Sequence, residues 1–287
     1  MKTYLDCYPC FLRQALEAAR MAGADEQGQK EIVSQVLEQL KHIAPSQTPP
    51  EIGAEVHRIV RQRGNHRDPY RIAKEQSTKE ALSLLPKMQA LLAEAEDPLD
   101  MAVRLSIAGN IIDFGPAHKY VLWDVVEQVL AKPFAVDDMP AFQSALRGAD
   151  RVLYLADNAG ETVFDRLLIQ VLDRPVIYAV KGGPILNDAT EHDARAAGVD
   201  TMAQIVSTGS DAPGTILDRC SPAFRKLYED APLVIAKGQA NYETLSEQGE
   251  KTFFLLQTKC PVIARDVDVP VASIVLKQGT NKTVERR

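Results

Sequence analysis

Apolar residues in the first half of the chain recur at helical spacing. Between Glu26 and Lys41 they fall three or four residues apart, with polar residues on the opposite face, which is typical of an amphipathic helix. Signals for a helix start occur at Thr48–Glu51, at Ser77–Glu80 and at Asp97-Pro98. Strand-like alternation is not seen before about residue 150. We therefore predict a helical N-terminal region over residues 1–147.

From Gly148 onward, short apolar runs alternate with segments of helical length. The predicted strands are Val152–Ala156, Pro175–Val180, Gln204–Ser207, Pro232–Ala236, Thr252–Leu256 and Val269–Leu276. Strands separated by helices indicate βαβ units and a mainly parallel sheet. The predicted fold class is α/β, with the helical region packed on a three-layer α/β domain over residues 148–287. No long Gly/Ser-rich or Pro-rich tract separates the two regions, so we expect them to share an interface.

Composition limits the classes of partner. The chain has 287 residues, is 45% hydrophobic and 25% charged, and has a net charge of −6, which is the balance of a soluble globular protein. A negative charge argues against broad binding to nucleic acid. No apolar run approaches the roughly 18 residues of a membrane helix, and the N-terminus lacks the apolar core of a signal peptide. We predict a cytoplasmic protein without a nucleic-acid or membrane partner; the oligomeric state is not predicted.

The loops that follow three predicted strands carry acids, amides, glycines and lysines. They are residues 157–161 (DNAGE), 181–190 (KGGPILNDAT) and 237–243 (KGQANYE). Parallel strands bring their carboxyl ends to one edge of a sheet, so we expect these loops to converge. The first loop also lies at a predicted helix start, where free N–H groups and a partial positive charge favour an anion.

The residue types in these loops suit a metal ion and a phosphate together. Asp157, Asn158 and Asp188 offer hard oxygen ligands, which Mg²⁺ and Mn²⁺ prefer. Lys181 or Lys237 would neutralise phosphate oxygens, and the neighbouring glycines, including Gly238, would let backbone N–H groups approach. A cation beside a helix N-terminus is unfavourable by itself, because both are positively charged. A phosphate between them removes the repulsion, which favours a site that binds a cation and a phosphate together.

Each of these residues also has a structural interpretation, and both interpretations stay open. Asp157, Asn158 and Asp188 lie where helix N-caps are expected, and Lys237 is also compatible with a surface lysine. Glu161 either favours the first helical turn or orients a water molecule.

Two polar residues interrupt the apolar end of the helical region. Asn110 and Asp113 lie between Gly109 and Gly115-Pro116. A helix terminator explains the glycines and the proline but not an amide and a carboxylate, so a substrate-binding role is the alternative. The polar stretch 64–70 is similarly either a solvated loop or a substrate-facing one.

The chain has four cysteines, too few and too scattered for a disulfide framework. Cys7 and Cys10 form a CxxC motif. A redox CxxC follows a strand, and almost no chain precedes this one, so we predict packing thiols at a helix start. A metal clip stays open if Cys220 or Cys260 lies nearby. Nucleotide-binding fingerprints (GxxxxGK[ST] and GxGxxG) and the GxSxG nucleophile elbow do not occur.

The three loop sequences, in this order, resemble the signature series of the damage-control phosphatase family, first catalogued as domain of unknown function 89. The opening CYPC and the block around Asn110 and Asp113 are similar to its prokaryotic branch. The resemblance implies a phosphatase dependent on Mg²⁺, Mn²⁺, Co²⁺ or Ni²⁺ that acts on sugar phosphates or damaged phosphorylated metabolites. It implies Asp157, Asn158 and Asp188 as metal ligands, and Lys237 as a phosphate contact.

We therefore predict hydrolysis of phosphomonoesters of small metabolites by attack of a metal-activated water. Asp157 and Glu161 are the predicted catalytic residues, and direct attack by Asp157 is the alternative. The residues predicted to bind phosphate or substrate are Lys237, Gly238, Asn110, Asp113, Lys181 and Asn241. Two other classes stay open, namely an S-adenosylmethionine-dependent carboxyl methyltransferase and a non-catalytic protein that binds phosphorylated metabolites.

Overall fold

The structure, a computed structural model, describes residues 1–44, 46–63, 68–110 and 122–281. Asp113 and residues 64–67 of the polar stretch lie outside the described residues.

Six helices in the described part of the chain precede the first strand. They are α1 Cys7–Met21, α2 Glu26–Leu40, α3 Pro49–Arg63, α4 Arg71–Glu94, α5 Pro98–Gly109 and α6 Leu122–Leu130. The predicted helix starts at Thr48 and Asp97 are confirmed. The backbone N of Thr48 donates to Glu51 Oε2 at 2.6 Å, and Asp97 Oδ1 accepts from the backbone N of Leu99 and of Asp100, each at 3.0 Å.

Strands and helices alternate through the rest of the chain. In order they are β1 Phe134–Asp137, α7 Met139–Gly148, β2 Val152–Leu155, α8 Glu161–Leu172, β3 Val176–Val180, α9 Glu191–Ala196, β4 Gln204–Ser207, α10 Pro222–Asp230, β5 Val234–Lys237, α11 Gly238–Leu245, β6 Thr252–Gln257, α12 Pro261–Val267 and β7 Ile274–Gln278. All six predicted strands are confirmed, with ends shifted by up to five residues.

Two local predictions are wrong. Strand β1 precedes residue 148, although no strand was expected there, because four residues at a sheet edge give too short a pattern to recognise. Residues 77–80 do not start a helix, since α4 begins at Arg71 and runs through them. Ser77 is buried against the start of α8, where a Cβ on Gly160 would lie only 1.9 Å from Ser77 Oγ. Packing of α4 on α8 therefore outweighs the local capping signal.

The seven strands form one sheet in the order β1-β7-β6-β5-β2-β3-β4. Neighbouring strands are parallel except for the antiparallel pair β6 and β7, so the predicted mainly parallel sheet is confirmed. The chain proceeds from β2 through β3 to β4 on one side, and from β5 to β6 on the other. The strand order thus reverses between β2 and β5, and open α/β sheets bind ligands in the crevice beyond such a switch point.

The sheet is the middle of three layers. One face packs on α4, α5, α7 and α8 through residues such as Phe142, Phe164 and Val103. The other face packs on α10, α11 and α12. Helices α1, α2 and α3 form a further cluster that meets α12 at Val262. Helices from before residue 148 thus share a core with the sheet, and no described helix is long and apolar enough to cross a membrane.

His57 of α3 makes stability depend on pH. It is 3% exposed, and its Nε2 has no hydrogen-bond partner among the described residues. Burial, assisted by the charge of Arg61, lowers the pKa of His57 to about 4. An unfolded histidine has a pKa of about 6.5, so the unfolded state takes up the proton first as the pH falls. The stability that neutral His57 confers above about pH 6.5 is therefore lost as the pH falls towards about 4.

The free energy of unfolding should fall between about pH 7 and about pH 4. We expect His57→Asn to make this fall smaller by about 2–3 kcal/mol. Urea denaturation at the two pH values measures this difference. The exposed His42 provides the control, since His42→Asn should leave the pH dependence of the wild type intact. Equal pH dependence in the His57 and His42 variants would contradict the interpretation.

Candidate active site

A cavity of about 260 Å³ lies beyond the carboxyl ends of β2, β3 and β5, at the switch point of the sheet. Asp157, Asn158 and Asp188 lie in it, and its walls come from α1, α3, the first two turns of α11 and the segment 259–262. Loops that are distant in sequence therefore converge at one edge of the sheet, as the strand pattern predicts.

Backbone hydrogen bonds join the first two loops. The N–H of Ala159 donates to Asn187 O at 2.8 Å, and the N–H of Ala189 donates to Asp157 O at 2.8 Å. Asn158 and Asp188 pair as an isolated antiparallel bridge. This pairing fixes the positions of the polar side chains before any ligand binds.

Asp157 is held by two amides and by close packing of the backbone. Its Oδ2 accepts from Asn110 Nδ2 at 2.9 Å and from Asn158 Nδ2 at 3.3 Å. Gly238 has a φ of +76°, and a Cβ there would lie 1.8 Å from Asp157 Oδ2. Burial raises the pKa of Asp157 well above its ordinary value, and the charges of Glu161 and Asp188 raise it further. Gly238 therefore makes room for the carboxylate, and it does not line the cavity.

Glu161 organises the amides around Asp157. It is fully buried, and its Oε1 accepts from Asn110 Nδ2 and from Asn158 Nδ2, both at 2.6 Å. These bonds fix the amide nitrogen of Asn158 towards the acids, which leaves its oxygen, the atom able to bind a cation, on the opposite side. Glu161 does not line the cavity, so its position suits orientation of Asn158 rather than the predicted contact with water.

Lys237 lies beneath the cavity rather than in its wall. It is fully buried, and its Nζ donates to Ser106 O at 2.9 Å, Glu161 Oε2 at 3.0 Å and Asp165 Oδ1 at 2.8 Å. An ammonium group has three N–H donors, so all are in use. Burial alone would lower the pKa of Lys237, but Asp165 and Glu161 raise it above the ordinary value. We therefore revise the predicted phosphate contact, because Lys237 acts as a counterion for buried carboxylates.

Asp165 is a central residue that the sequence analysis did not single out. This buried carboxylate also accepts from Tyr154 OH and Tyr178 OH, both at 2.7 Å, and from Ser106 Oγ at 3.0 Å. Two signals point to it. It lies four residues after Glu161 on the same helix face, and the two tyrosines face it from adjacent strands in register.

Asp188 and Lys181 form a second buried pair. Lys181 Nζ lies 3.4 Å from Asp188 Oδ2, and it donates a hydrogen bond to Gly214 O. Asp188 Oδ2 has no aligned hydrogen-bond partner among the described residues. Burial raises the pKa of Asp188 to about 6, and Lys181 opposes that rise. Lys181 does not line the cavity, so its predicted phosphate contact is also revised.

Asn110 and Asn241 are both fully buried, and neither lines the cavity. Asn241 Nδ2 donates to Lys237 O at 2.8 Å, and Asn241 Oδ1 accepts from Thr215 Oγ1 at 2.8 Å. Asn241 thus supports the loop after β5, and Asn110 supports Asp157. Both positions differ from the predicted contact with substrate.

Lys259 is the lysine that lines the cavity. It lies two residues after β6, and its positive charge favours the ionised form of Asp157 by lowering that residue's pKa. Its backbone N–H donates to Gln239 Oε1. Lys259 follows a predicted strand of the same sheet, but its loop, residues 258–261 (TKCP), lacks the glycines and amides that mark the other three.

The donor set fits a hard divalent cation. The cluster contains the four buried carboxylates Asp157, Glu161, Asp165 and Asp188, whereas Lys181 and Lys237 are the two buried lysines in contact with it. The cluster therefore contains two more carboxyl groups than buried lysines, and Asp157 and Asp188 are the members that line the cavity. Within the described part of the chain, no three His, Cys, Asp or Glu side chains converge as a metal site by themselves. A cation here would need the amide oxygen of Asn158 as well as the two aspartates.

The fold and the site together define an α/β protein in which two aspartates, an amide and a lysine line one cavity at the switch point of its sheet. The family model for the damage-control phosphatase ARMT1-like domain matches residues 3–275. The crystal structure of a family member of domain of unknown function 89 from Pyrococcus horikoshii has a TM-score of 0.88 at 30% identity, covering 98% of this chain and 100% of that one.

Two archaeal relatives are named as damage-control phosphatases. One, from Archaeoglobus fulgidus, is 35% identical, with 94% of this chain and 97% of the relative covered. The other, from Pyrococcus horikoshii, is 31% identical, with 98% and 100% covered. An uncharacterized protein of Methanocaldococcus jannaschii is 36% identical, with 94% and 93% covered. The chain belongs to the damage-control phosphatase family, as its loop sequences predicted.

Removal of the Lys237 charge tests the counterion assignment. Lys237→Met would leave Glu161 and Asp165 buried without their cation, so we expect the free energy of unfolding to fall by about 3–5 kcal/mol. Urea denaturation at neutral pH measures the loss. Lys226→Met, at an exposed lysine paired with Asp230, should change stability by less than about 0.5 kcal/mol. Similar stability in the two variants would rule out the assignment.

Proposed function

We propose that this protein is a divalent-metal-dependent phosphatase of small phosphorylated metabolites. The observation that carries the proposal is the meeting of Asp157, Asn158 and Asp188 with Lys259 in one cavity. Oxygen ligands for a cation and a positive charge for a phosphate lie side by side there. A cavity of about 260 Å³ suits a small metabolite rather than a polymer. Membership of the damage-control phosphatase family supports the same activity.

Asp157, Asn158 and Asp188 would hold the cation. Three protein ligands leave other coordination positions for substrate and water. When bound, such a cation polarises phosphate oxygens and lowers the pKa of a bound water. Mg²⁺, Mn²⁺, Co²⁺ and Ni²⁺ are the candidates.

The remaining groups would neutralise the phosphate or hold the metal ligands in position. Lys259 would pair with phosphate oxygens and stabilise the charge that builds on them during transfer. Glu161 and Asn110 hold Asp157 and Asn158 in place through the amide bonds described above. We propose water rather than Asp157 as the attacking group, because Asp157 Oδ2 already accepts two amide hydrogen bonds.

The cavity wall supports a substrate with both polar and apolar surface. Phe11, Pro49 and Pro50 provide apolar contacts, while Gln14 and Asn187 provide amides. Substrate hydroxyl groups are suitable hydrogen-bond partners for these two amides. Sugar phosphates and damaged phosphometabolites carry such groups.

An assay with p-nitrophenyl phosphate across the four metals, with a chelator control, tests the activity. We expect hydrolysis to require added metal and to fall at least about 100-fold in Asp157→Asn, because a ligand and its charge are lost together. Asp150→Asn, at an exposed aspartate, should retain activity. Hydrolysis that survives both chelation and Asp157→Asn would refute the metal assignment. Tight binding of S-adenosylmethionine by calorimetry, without phosphatase activity, would favour the methyltransferase alternative.

Lys259 provides a separate test of the phosphate contact. Lys259→Met removes one charge-assisted contact, so we expect kcat/KM for a sugar phosphate to fall about 10- to 100-fold, equivalent to about 1.5–3 kcal/mol. Steady-state kinetics measures this, with Lys226→Met as the control. Unchanged kcat/KM in Lys259→Met would show that another group holds the phosphate.

A further inference from the structure

Three of the four cysteines line the same cavity as Asp157 and Asp188. Cys7 and Cys10 lie in the first turn of α1, three residues apart and therefore on one face of the helix. Cys260 immediately precedes α12, and all three line the cavity wall. The four cysteines of the chain are all free thiols. The proposed phosphatase chemistry uses oxygen ligands, so it gives these thiols no role.

The three thiols are close enough for their charges to act on one another. Burial is the main cause that raises the pKa of Cys7, and the charges of Glu243, Cys260 and Cys10 add to the rise. Burial also raises the pKa of Cys260. Cys7 and Cys260 are therefore held as neutral thiols, which react slowly as nucleophiles.

Cys10 has a different environment. Like Cys260 it is half-buried, but in addition two side-chain donors reach its Sγ, namely Arg13 Nη2 at 3.7 Å and Gln14 Nε2 at 3.6 Å. Reactive protein thiols occur in partly exposed positions beside a guanidinium group and near a helix N-terminus. Cys10 meets each of these conditions, so it is the thiol placed to react.

Apolar packing, the predicted role of the thiols, accounts for Cys7 and Cys260, which pack in the cluster of α1, α2 and α3, but not for Cys10, which is outside it. Across the described ranges, no three His, Cys, Asp or Glu side chains converge in a way that would hold a metal ion, which removes the metal clip left open by the sequence. Cys220 shows what a packing thiol looks like in this protein. It is buried in the apolar cluster on the other face of the sheet, and its Sγ donates to Ile216 O at 3.4 Å.

We propose that Cys10 is a reversible modification site for small disulfides, the oxidised forms of low-molecular-weight thiols, and that its modification closes the cavity. The thiolate of Cys10 attacks one sulfur of the small disulfide, and the bond between the two sulfurs of that molecule breaks. A mixed disulfide forms on Cys10, and the other half leaves as a thiol with the proton that Cys10 released. A thiol reductant reverses the exchange.

The consequence follows from where Cys10 lies. A group attached to its sulfur occupies part of a cavity of about 260 Å³ that Asp157 and Asp188 also line. The effect on phosphate hydrolysis rests on the proposed function, whereas the reaction at Cys10 and the blocking of the cavity do not.

Treatment of the full chain with glutathione disulfide, followed by peptide mass mapping, tests the proposal. We expect a mixed disulfide on Cys10 and none on Cys220. Hydrolysis of p-nitrophenyl phosphate should fall at least about tenfold by this exchange and return with dithiothreitol. In Cys10→Ser both the adduct and the fall should disappear, with each variant compared with its own untreated sample. Cys220→Ser, the matched control, should respond as the wild type does.

The alkylation rate of Cys260 measures closure of the cavity without depending on catalysis. Iodoacetamide should alkylate Cys260 at least about tenfold more slowly once Cys10 carries the adduct, because the cavity that exposes Cys260 is filled. If the untreated protein has no phosphatase activity, the proposed function fails, and the adduct map with the alkylation rate still decides the present proposal. Preferential reaction at Cys220, or an adduct on Cys10 that leaves Cys260 alkylation unchanged, would overturn it. If Cys10→Ser does not fold, Cys10→Ala replaces it.

Discussion

Burial of four carboxylates beneath one cavity is the constraint on which much of this structure depends. The cluster consists of Asp157, Glu161, Asp165 and Asp188. Burying an unpaired charge costs several kcal/mol, so each carboxylate needs compensation. Lys237 bonds to two of them, Lys181 pairs with a third, and tyrosine and amide donors satisfy further oxygens. The packing of α5 and α8 against the sheet brings these donors into position.

The charge balance of the cluster also distinguishes the lysines that stabilise the fold, Lys181 and Lys237, from the lysine that lines the cavity, Lys259. Both Lys-Gly pairs follow strands of the same sheet, and in both the lysine points into the protein, where it neutralises acids. Asp157 and Asp188 are the members of the cluster that line the cavity, and the lysine that joins them there is Lys259. A site that holds carboxyl groups in fixed positions at its surface is preorganised for a cation, since the protein scaffold has already met the cost of placing them.

Sequence patterns predicted the architecture well because they depend on local periodicity. Apolar runs located six strands, and the rule that parallel strands end at one edge correctly brought Asp157, Asn158 and Asp188 together. The same reasoning was weaker where a residue's partner is remote in sequence. Strand β1 was too short to recognise, and Ser77 looked like a helix cap although it packs on another helix.

The sequence by itself determined the α/β fold, the family and the loops that build the site, since strand and helix periodicity and loop composition are local properties. Only the tertiary structure decided which lysine faces the cavity, that Asp165 anchors Lys237, and that Cys7, Cys10 and Cys260 share one wall. These facts depend on side-chain direction and on contacts between segments more than 70 residues apart. Burial and charge compensation set those contacts in three dimensions, so patterns along the chain indicate candidates such as Lys259 and Asp165 but do not choose among them.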